Sequence, residues 1–443
     1  MPRGARSSAL RVGGETRVMA RRWARSGRAI EPGRAWAHAI SITLLVFGVA
    51  LRFHYLVCDV HTPDEDTYAN FYARPLEVHG LRYLSELNRR YDAQPSMHEF
   101  PRPTRIGYLI PMVGFLSVSD APDLTAAATL STAASVATLL LIYGVGTMLD
   151  PWVAPIALLF AVVSPLDLAM SRRVWPDSLM GFCAMLLAWW LTRALAQPGR
   201  VRAGIAALAA GAYAVMVKET GLFLLGFATG ALAIAAWRAG GSRGAIQWLA
   251  GGLAALILAA AATAFACGGI EPVRSAVAAL RHGAPTNAYM REYQTGDLRY
   301  YGRGLALLQP VPIALGLVGA TLALKPLSSL FTVLRGRAVT PALATLGWMS
   351  LTVGAAIAVL PQKNMRFLSP VYPALDLLAA AVIVGGLRQA SARLPRAAGI
   401  ALFVMLAIGL LAAGYLDQAR FVRYFITGGI ADLATPWFFK AAP

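Results

Sequence analysis

A run of acids stands directly after the first long apolar stretch, in Thr62-Pro63-Asp64-Glu65-Asp66-Thr67-Tyr68. A carboxylate in such a place can act as a general base, taking the proton of a hydroxyl as its oxygen attacks. Asp64 and Glu65 are equally placed for that role. Each also has a plainer reading, since acids are favourable in a first helical turn. A second carboxylate, Asp177, closes the turn Ser171-Arg172-Arg173-Val174-Trp175-Pro176-Asp177 and can face the first. Cations stand on four separate turns: Arg102 and Arg105, Arg172, Lys218, and the Lys363–Arg366 pair. Singly, each reads as well as a headgroup anchor. Together they suit a phosphate whose charge must be held as it leaves.

These groups need elements to position them. Thr62 reads as a helix N-cap, Pro63 as the first helical residue and Glu65 as the third, the signature of a capping box. Tyr68, Phe71, Tyr72, Leu76 and His79 follow at helical spacing, and Leu81, Leu84, Leu87 and Tyr91 repeat the pattern. The spacing predicts two amphipathic interfacial helices. Residues 105–119 form a third, because 15 residues rise about 22 Å, short of the ~30 Å hydrocarbon core.

The rest of the chain is built to span a membrane. It has 443 residues, 57% of them hydrophobic and 14% charged, against roughly 25% charged in soluble domains. Long apolar runs predict eleven spans, near 35–57, 123–147, 151–169, 178–195, 203–217, 220–237, 245–267, 304–324, 341–360, 368–387 and 397–415. The fold class is therefore an all-α integral membrane protein. Around this domain of 35–415 the sequence predicts a basic disordered cytoplasmic tail over 1–34 and a short outer tail over 416–443. A soluble enzyme and a disordered protein are both excluded.

The net charge of +18 is mainly a topology signal. With the N-terminus inside and 105–119 not crossing, one side collects 20 basic residues against three acids, Glu15, Glu31 and Asp150. That is the cytoplasmic side by the positive-inside rule, and nucleic acid is not implied. The long loops 58–122 and 268–303 then face outward, at a cell membrane whose outer face carries the chemistry.

Other chemistries find little support. Cys58, Cys183 and Cys267 form no paired motif, and the six histidines form no metal-ligand spacing. No phosphate-binding glycine loop or nucleophile elbow occurs in a usable context.

In order along the chain, these motifs resemble the GT-C transferases, which take a sugar from a polyprenyl-phosphate carrier. The resemblance is to the branch of protein O-mannosyltransferases and the lipid A aminoarabinose transferase. It rests on Pro63-Asp64-Glu65-Asp66-Thr67-Tyr68, Arg102-Pro103, Ser164-Pro165 with Ser171-Arg172 and Asp177, Lys218-Glu219-Thr220-Gly221, and Lys363-Asn364-Met365-Arg366-Phe367-Leu368. It implies a single displacement with inversion. Asp64 would be the base with Glu65 beside it, and Asp177 would orient acceptor or base. Arg102, Lys218 and Arg366 would hold the lipid phosphate, with Arg105, Arg172 and Lys363 as further candidates. No cofactor is certain, and a divalent metal stays open, because only some relatives use one. Sugar and acceptor contacts are expected from Tyr68 and from His282, Tyr289, Arg291 and Glu292 on the second loop. The partners implied are membrane lipid, a polyprenyl-phosphate sugar, and a glycan, lipid or protein acceptor. A transporter of lipid-linked sugar is the alternative. It predicts repeat symmetry and charges near the midplane.

Overall fold

A computed structural model describes residues 32–56, 60–197, 200–286, 291, 292, 294, 296, 297, 299–324 and 329–434. Residues 1–31 of the expected tail, Cys58 and Tyr289 lie outside these. Helices are the regular elements of the described residues, with one isolated antiparallel bridge, Asn364 with Ala434. The long helices are α1 (Pro32–His54), α2 (Ile106–Ser117), α3 (Asp123–Leu149), α4 (Val153–Val162), α5 (Pro165–Ser171), α6 (Asp177–Ala196) and α7 (Val201–Val217). They continue with α8 (Gly221–Gly240), α9 (Ser242–Cys267), α10 (Arg299–Leu308), α11 (Pro310–Ala323), α12 (Val339–Ala358), α13 (Tyr372–Arg393) and α14 (Arg396–Phe421).

Helices fall on all eleven expected spans, yet among the described residues only eight are long and apolar enough to cross a membrane unaided. The span at 151–169 is two helices, α4 and α5, bent by 61°. Pro165 supplies the break, since it cannot donate to the preceding turn. The span at 304–324 is interrupted at Gln309, ahead of Pro310, and α7 has only 17 residues. The last helix also overruns its expected end at 415, continuing through a π-helical turn to Thr427. Residues 416–427 are thus helical rather than part of a tail.

Breaking a helix inside an apolar core leaves carbonyls without partners. Arg52 of α1, fully buried, meets this need. Its guanidinium donates to Ala161 O at 3.1 Å, to Val162 O at 3.5 Å and to Ser135 Oγ at 2.6 Å, and pairs with Asp167. Gln309 ties the two breaks together. It donates to Phe160 O at 3.2 Å and accepts from Ser164 Oγ at 2.9 Å.

Close helix contact holds the second half. A Cβ on Gly316 of α11 would lie 2.6 Å from Leu375 O of α13, and one on Gly319 would lie 2.8 Å from Leu378 O. Small residues at this spacing let backbones approach where the hydrophobic effect cannot drive association.

The first long loop is a chain of short helices over Pro63–Asp66, Thr67–Ala73, Arg74–His79 and Leu84–Ala93. The capping box forms as read: the Glu65 carboxylate accepts from Thr62 N at 2.9 Å. Tyr68, Tyr72, Leu76, Leu84 and Leu87 are buried on one side, while Phe71 and Leu81 are exposed. Short α2 packs against this layer and against α7.

Candidate active site

Glu65 and Asp64 are neighbours in sequence and differ sharply in surroundings. The side chain of Glu65 is 1% exposed and that of Asp64 is 22% exposed. Glu65 accepts from Thr62 N, from Thr62 Oγ1 at 3.1 Å, from Arg173 at 2.9 Å and from Val174 N at 3.2 Å. Burial opposes its ionisation, but His61, Arg173 and the two backbone N–H groups outweigh it and hold the carboxyl below its usual range. Glu65 thereby docks the loop onto the turn between α5 and α6.

Asp64 points the other way. Its Oδ2 lies 3.2 Å from Arg366 Nη2. Burial pushes its carboxyl above the ordinary range, against the pull of Arg366 and with a further push from Asp432. A carboxyl whose proton affinity is raised is a stronger base once it has ionised, which suits a general base.

From Asp64 the charges alternate. Arg366 Nε is 3.9 Å from Asp177 Oδ2, and Lys218 Nζ donates to Asp177 Oδ1 at 2.6 Å. Asp177 begins α6, Lys218 closes α7, and Arg366 lies on a 3-10 turn ahead of α13. That turn is set by Asn364, whose side chain accepts from Arg366 N at 3.1 Å. Aromatic faces hold the cations: Lys218 sits over Phe367 at 4.3 Å and Arg366 over Trp175 at 4.9 Å. Burial lowers the Lys218 ammonium to about 8, only partly opposed by Asp177.

The remaining candidates are engaged elsewhere or form a second tier. Arg105 makes a bidentate pair with Glu219, at 3.1 and 2.8 Å, and donates to Tyr68 OH. This clamp joins the first loop to the turn between α7 and α8. Arg102 bonds Asp92 at 2.6 Å and Asn88 at 3.3 Å on the Leu84–Ala93 helix. Lys363 donates to Ala358 O at 2.9 Å and to Leu360 O, capping the end of α12. Arg172 is buried on the turn it shares with Arg173. Arg291 and Glu292 are exposed, and the side chain of His282, like Tyr289, lies outside the described residues. Among the described residues no three His, Cys, Asp or Glu side chains stand close enough together to hold a metal ion.

Three contributors were not foreseen: Arg173, Arg52 and Asp432. Asp432 lies beyond the last helix yet returns to the site. Its Oδ1 accepts from Asn364 Nδ2 at 3.2 Å, and Leu433 O accepts from Met365 N at 3.3 Å and from Tyr300 OH. Arg173 also donates to Ile430 O at 3.3 Å. The segment therefore straps the Asn364–Arg366 turn in place. For Arg52, the signal was present: an arginine inside an apolar run needs a partner.

Residues 106–264 match a family described as dolichyl-phosphate-mannose-protein mannosyltransferase. ArnT from Cupriavidus metallidurans, solved in the apo state, superposes with a TM-score of 0.53 at 17% identity, over 84% of this chain and 64% of that one. AglB, the oligosaccharyltransferase from Archaeoglobus fulgidus, gives 0.53 at 12% identity, over 87% and 56%. Arabinosyltransferase EmbB from Mycobacterium smegmatis gives 0.50 at 17%, over 78% and 30%.

The chain has a GT-C fold.

It spans less than two thirds of the length of each of these solved chains. No curated protein matches it in sequence. Within the GT-C fold the matched stretch takes in Asp177 and Lys218 but stops short of Arg366 and starts after Asp64. The row of alternating charges therefore draws residues from both sides of that stretch.

Proposed function

We propose that this chain is a membrane glycosyltransferase that moves a monosaccharide from a polyprenyl-phosphate donor to an acceptor hydroxyl. The observation that carries this reading is the row Asp64–Arg366–Asp177–Lys218, in which only the first carboxylate is partly open. The acceptor oxygen attacks the anomeric carbon as its proton passes to Asp64. The bond from that carbon to the phosphate oxygen breaks on the opposite face, which inverts the centre. Polyprenyl phosphate departs as an anion. Lys218 and Arg366 balance the growing charge, and a leaving phosphate needs no acid, unlike the two-carboxylate arrangement of glycosidases. Asp177 holds both cations at their spacing, and Glu65 fixes the backbone that presents Asp64.

Two solved relatives support the donor class: ArnT was captured with undecaprenyl phosphate and AglB with dolichol-phosphate. Arginine asymmetry favours a cytoplasmic N-terminus and a site on the outer face of the cell membrane.

The test is mass spectrometry of lipids co-purified with wild-type protein and with Asp64→Asn. The expected result is a polyprenyl-phosphate sugar retained on the variant and only polyprenyl phosphate on the wild type. The retained mass would name the sugar. Equal amounts of intact donor on both would turn the reading toward transport.

A further inference from the structure

Beneath the charged row lies a cavity of about 20 Å³, lined by Ser164, Asp167, Asp177, Ser178, Ser369 and Asp376 among others. It sits where the α4–α5 break, α6, the turn before α13 and α13 itself meet. Asp376, Ser178 and Ser369 are 2%, 3% and 3% exposed. Among the described residues, Asp376 Oδ1, Ser178 Oγ and Ser369 Oγ have no hydrogen-bond partner, and Asp177 Oδ2 has only Arg366 at 3.9 Å.

The charges lining this cavity do not balance locally. Asp167 is answered by Arg52 and Asp177 by Lys218. Asp376 has no ion pair among the described residues. The ionisable groups that act on it are Asp167 and Asp417, both acids, the second already paired with Arg420 at 2.6 Å. An ionised carboxylate unpaired in an apolar interior costs several kcal/mol. A proton alone would neutralise Asp376 but leave the serine oxygens unmet, because none of them is within bonding distance of it. A neutral water would bridge the oxygens but leave the charge. A small cation answers both demands, as would a water beside a protonated Asp376, which the pH arm of the test separates, and the volume suits one body the size of a water. A magnesium ion keeps several waters of its own, for which a cavity of about 20 Å³ has no room. Broken helices near a buried acid are also where other membrane folds hold monovalent ions.

We propose that Asp376, with Ser178, Ser369 and the Oδ2 of Asp177, binds a sodium ion inside the helical core. The bound ion ties α13 to α6 directly below the Asp177–Lys218 pair. The site shares Asp177 with the proposed transferase row, but its test needs no substrate and reads the ion alone.

The experiment compares the thermal midpoint of the purified full-length protein in sodium chloride and in choline chloride at equal ionic strength. Sodium is expected to raise the wild-type Tm by ~2–4 °C and to saturate. Asp376→Asn should show the same Tm in both salts. Should that variant fail to fold, the Ser178→Ala, Ser369→Ala double variant should need at least tenfold more sodium for half the shift. Equal Tm values for the wild type in both salts would overturn the proposal. So would a sodium shift that persists undiminished in the variants, or one reproduced by lowering pH in choline alone, which would make the occupant a proton.

Discussion

Two buried acids, at opposite ends of the bundle, show what separates a lock from a site. At the arginine-rich end Asp150 is fully buried. Its Oδ1 accepts from Trp152 N at 3.0 Å and Arg388 at 2.8 Å, and its Oδ2 accepts from Arg335 N at 2.9 Å. The loop it ties down passes so close that a Cβ on Gly336 would fall 1.8 Å from Met148 O. At the other end Asp177 has one oxygen on Lys218 and the other only near Arg366, and Asp64 keeps part of its surface open. The lock saturates its acid with rigid partners. The site leaves Asp177 Oδ2 without a hydrogen bond and Asp64 partly open, so that a ligand has something to complete.

That contrast breaks first at Asp64. Asp64→Asn keeps the shape and removes the base, so transfer should fall by about 10³-fold. Binding of undecaprenyl phosphate, measured by the Tm shift it induces, should stay within about twofold. Loss of binding together with activity would move Asp64 from chemistry to structure.

Asp150→Ala tests the other end. Removing one partner of a buried pair costs about 3–5 kcal/mol, because Arg388 is left uncompensated. Thermal denaturation should show a lower Tm, while activity per folded molecule stays unchanged. A loss of specific activity without loss of Tm would mean the two ends are coupled.

A smaller effect is expected from Arg366→Lys. The charge survives, but the contact with Asp64 and the stacking on Trp175 do not. Transfer should drop about tenfold, mostly in KM for the donor. An unchanged KM would take Arg366 out of phosphate binding.

How much of this was legible before folding differs from residue to residue. The capping box could be read because it is local: Thr62, Pro63 and Glu65 signal each other within four positions. The choice between Asp64 and Glu65 could not, since it depends on Arg173, brought from 108 residues away. The apolar runs gave helix positions but not which of them cross, because a proline or a glutamine decides whether a run is one helix or two. Residues past 415 read as a tail for want of any long-range signal. Asp432 enters the site through its bond with Asn364 and its field on Asp64, which no local pattern signals. The cations on separate turns read alike in sequence, which could not separate Lys218 and Arg366, which face Asp177, from Arg102 and Lys363, which are engaged by Asp92 and by helix-end carbonyls.

The finest test of the contrast is pH. Asp64 must be ionised to accept a proton, and its carboxyl titrates above the ordinary range. As pH falls through that raised value the base is lost, so kcat/KM should decline on the acid side earlier than for an ordinary aspartate. Lys218 must be charged to hold the phosphate, and burial sets its ammonium at about 8. As pH rises through about 8 the free enzyme loses this cation, so kcat/KM should decline again and the profile is bell-shaped. The limb in kcat should lie higher, because a bound phosphate favours the charged amine. Lys218→Arg decides the assignment. A guanidinium stays charged throughout this range, so the alkaline limb should vanish while the acid limb remains. An alkaline limb that survives in Lys218→Arg would belong to another group, and the phosphate would then be held without Lys218.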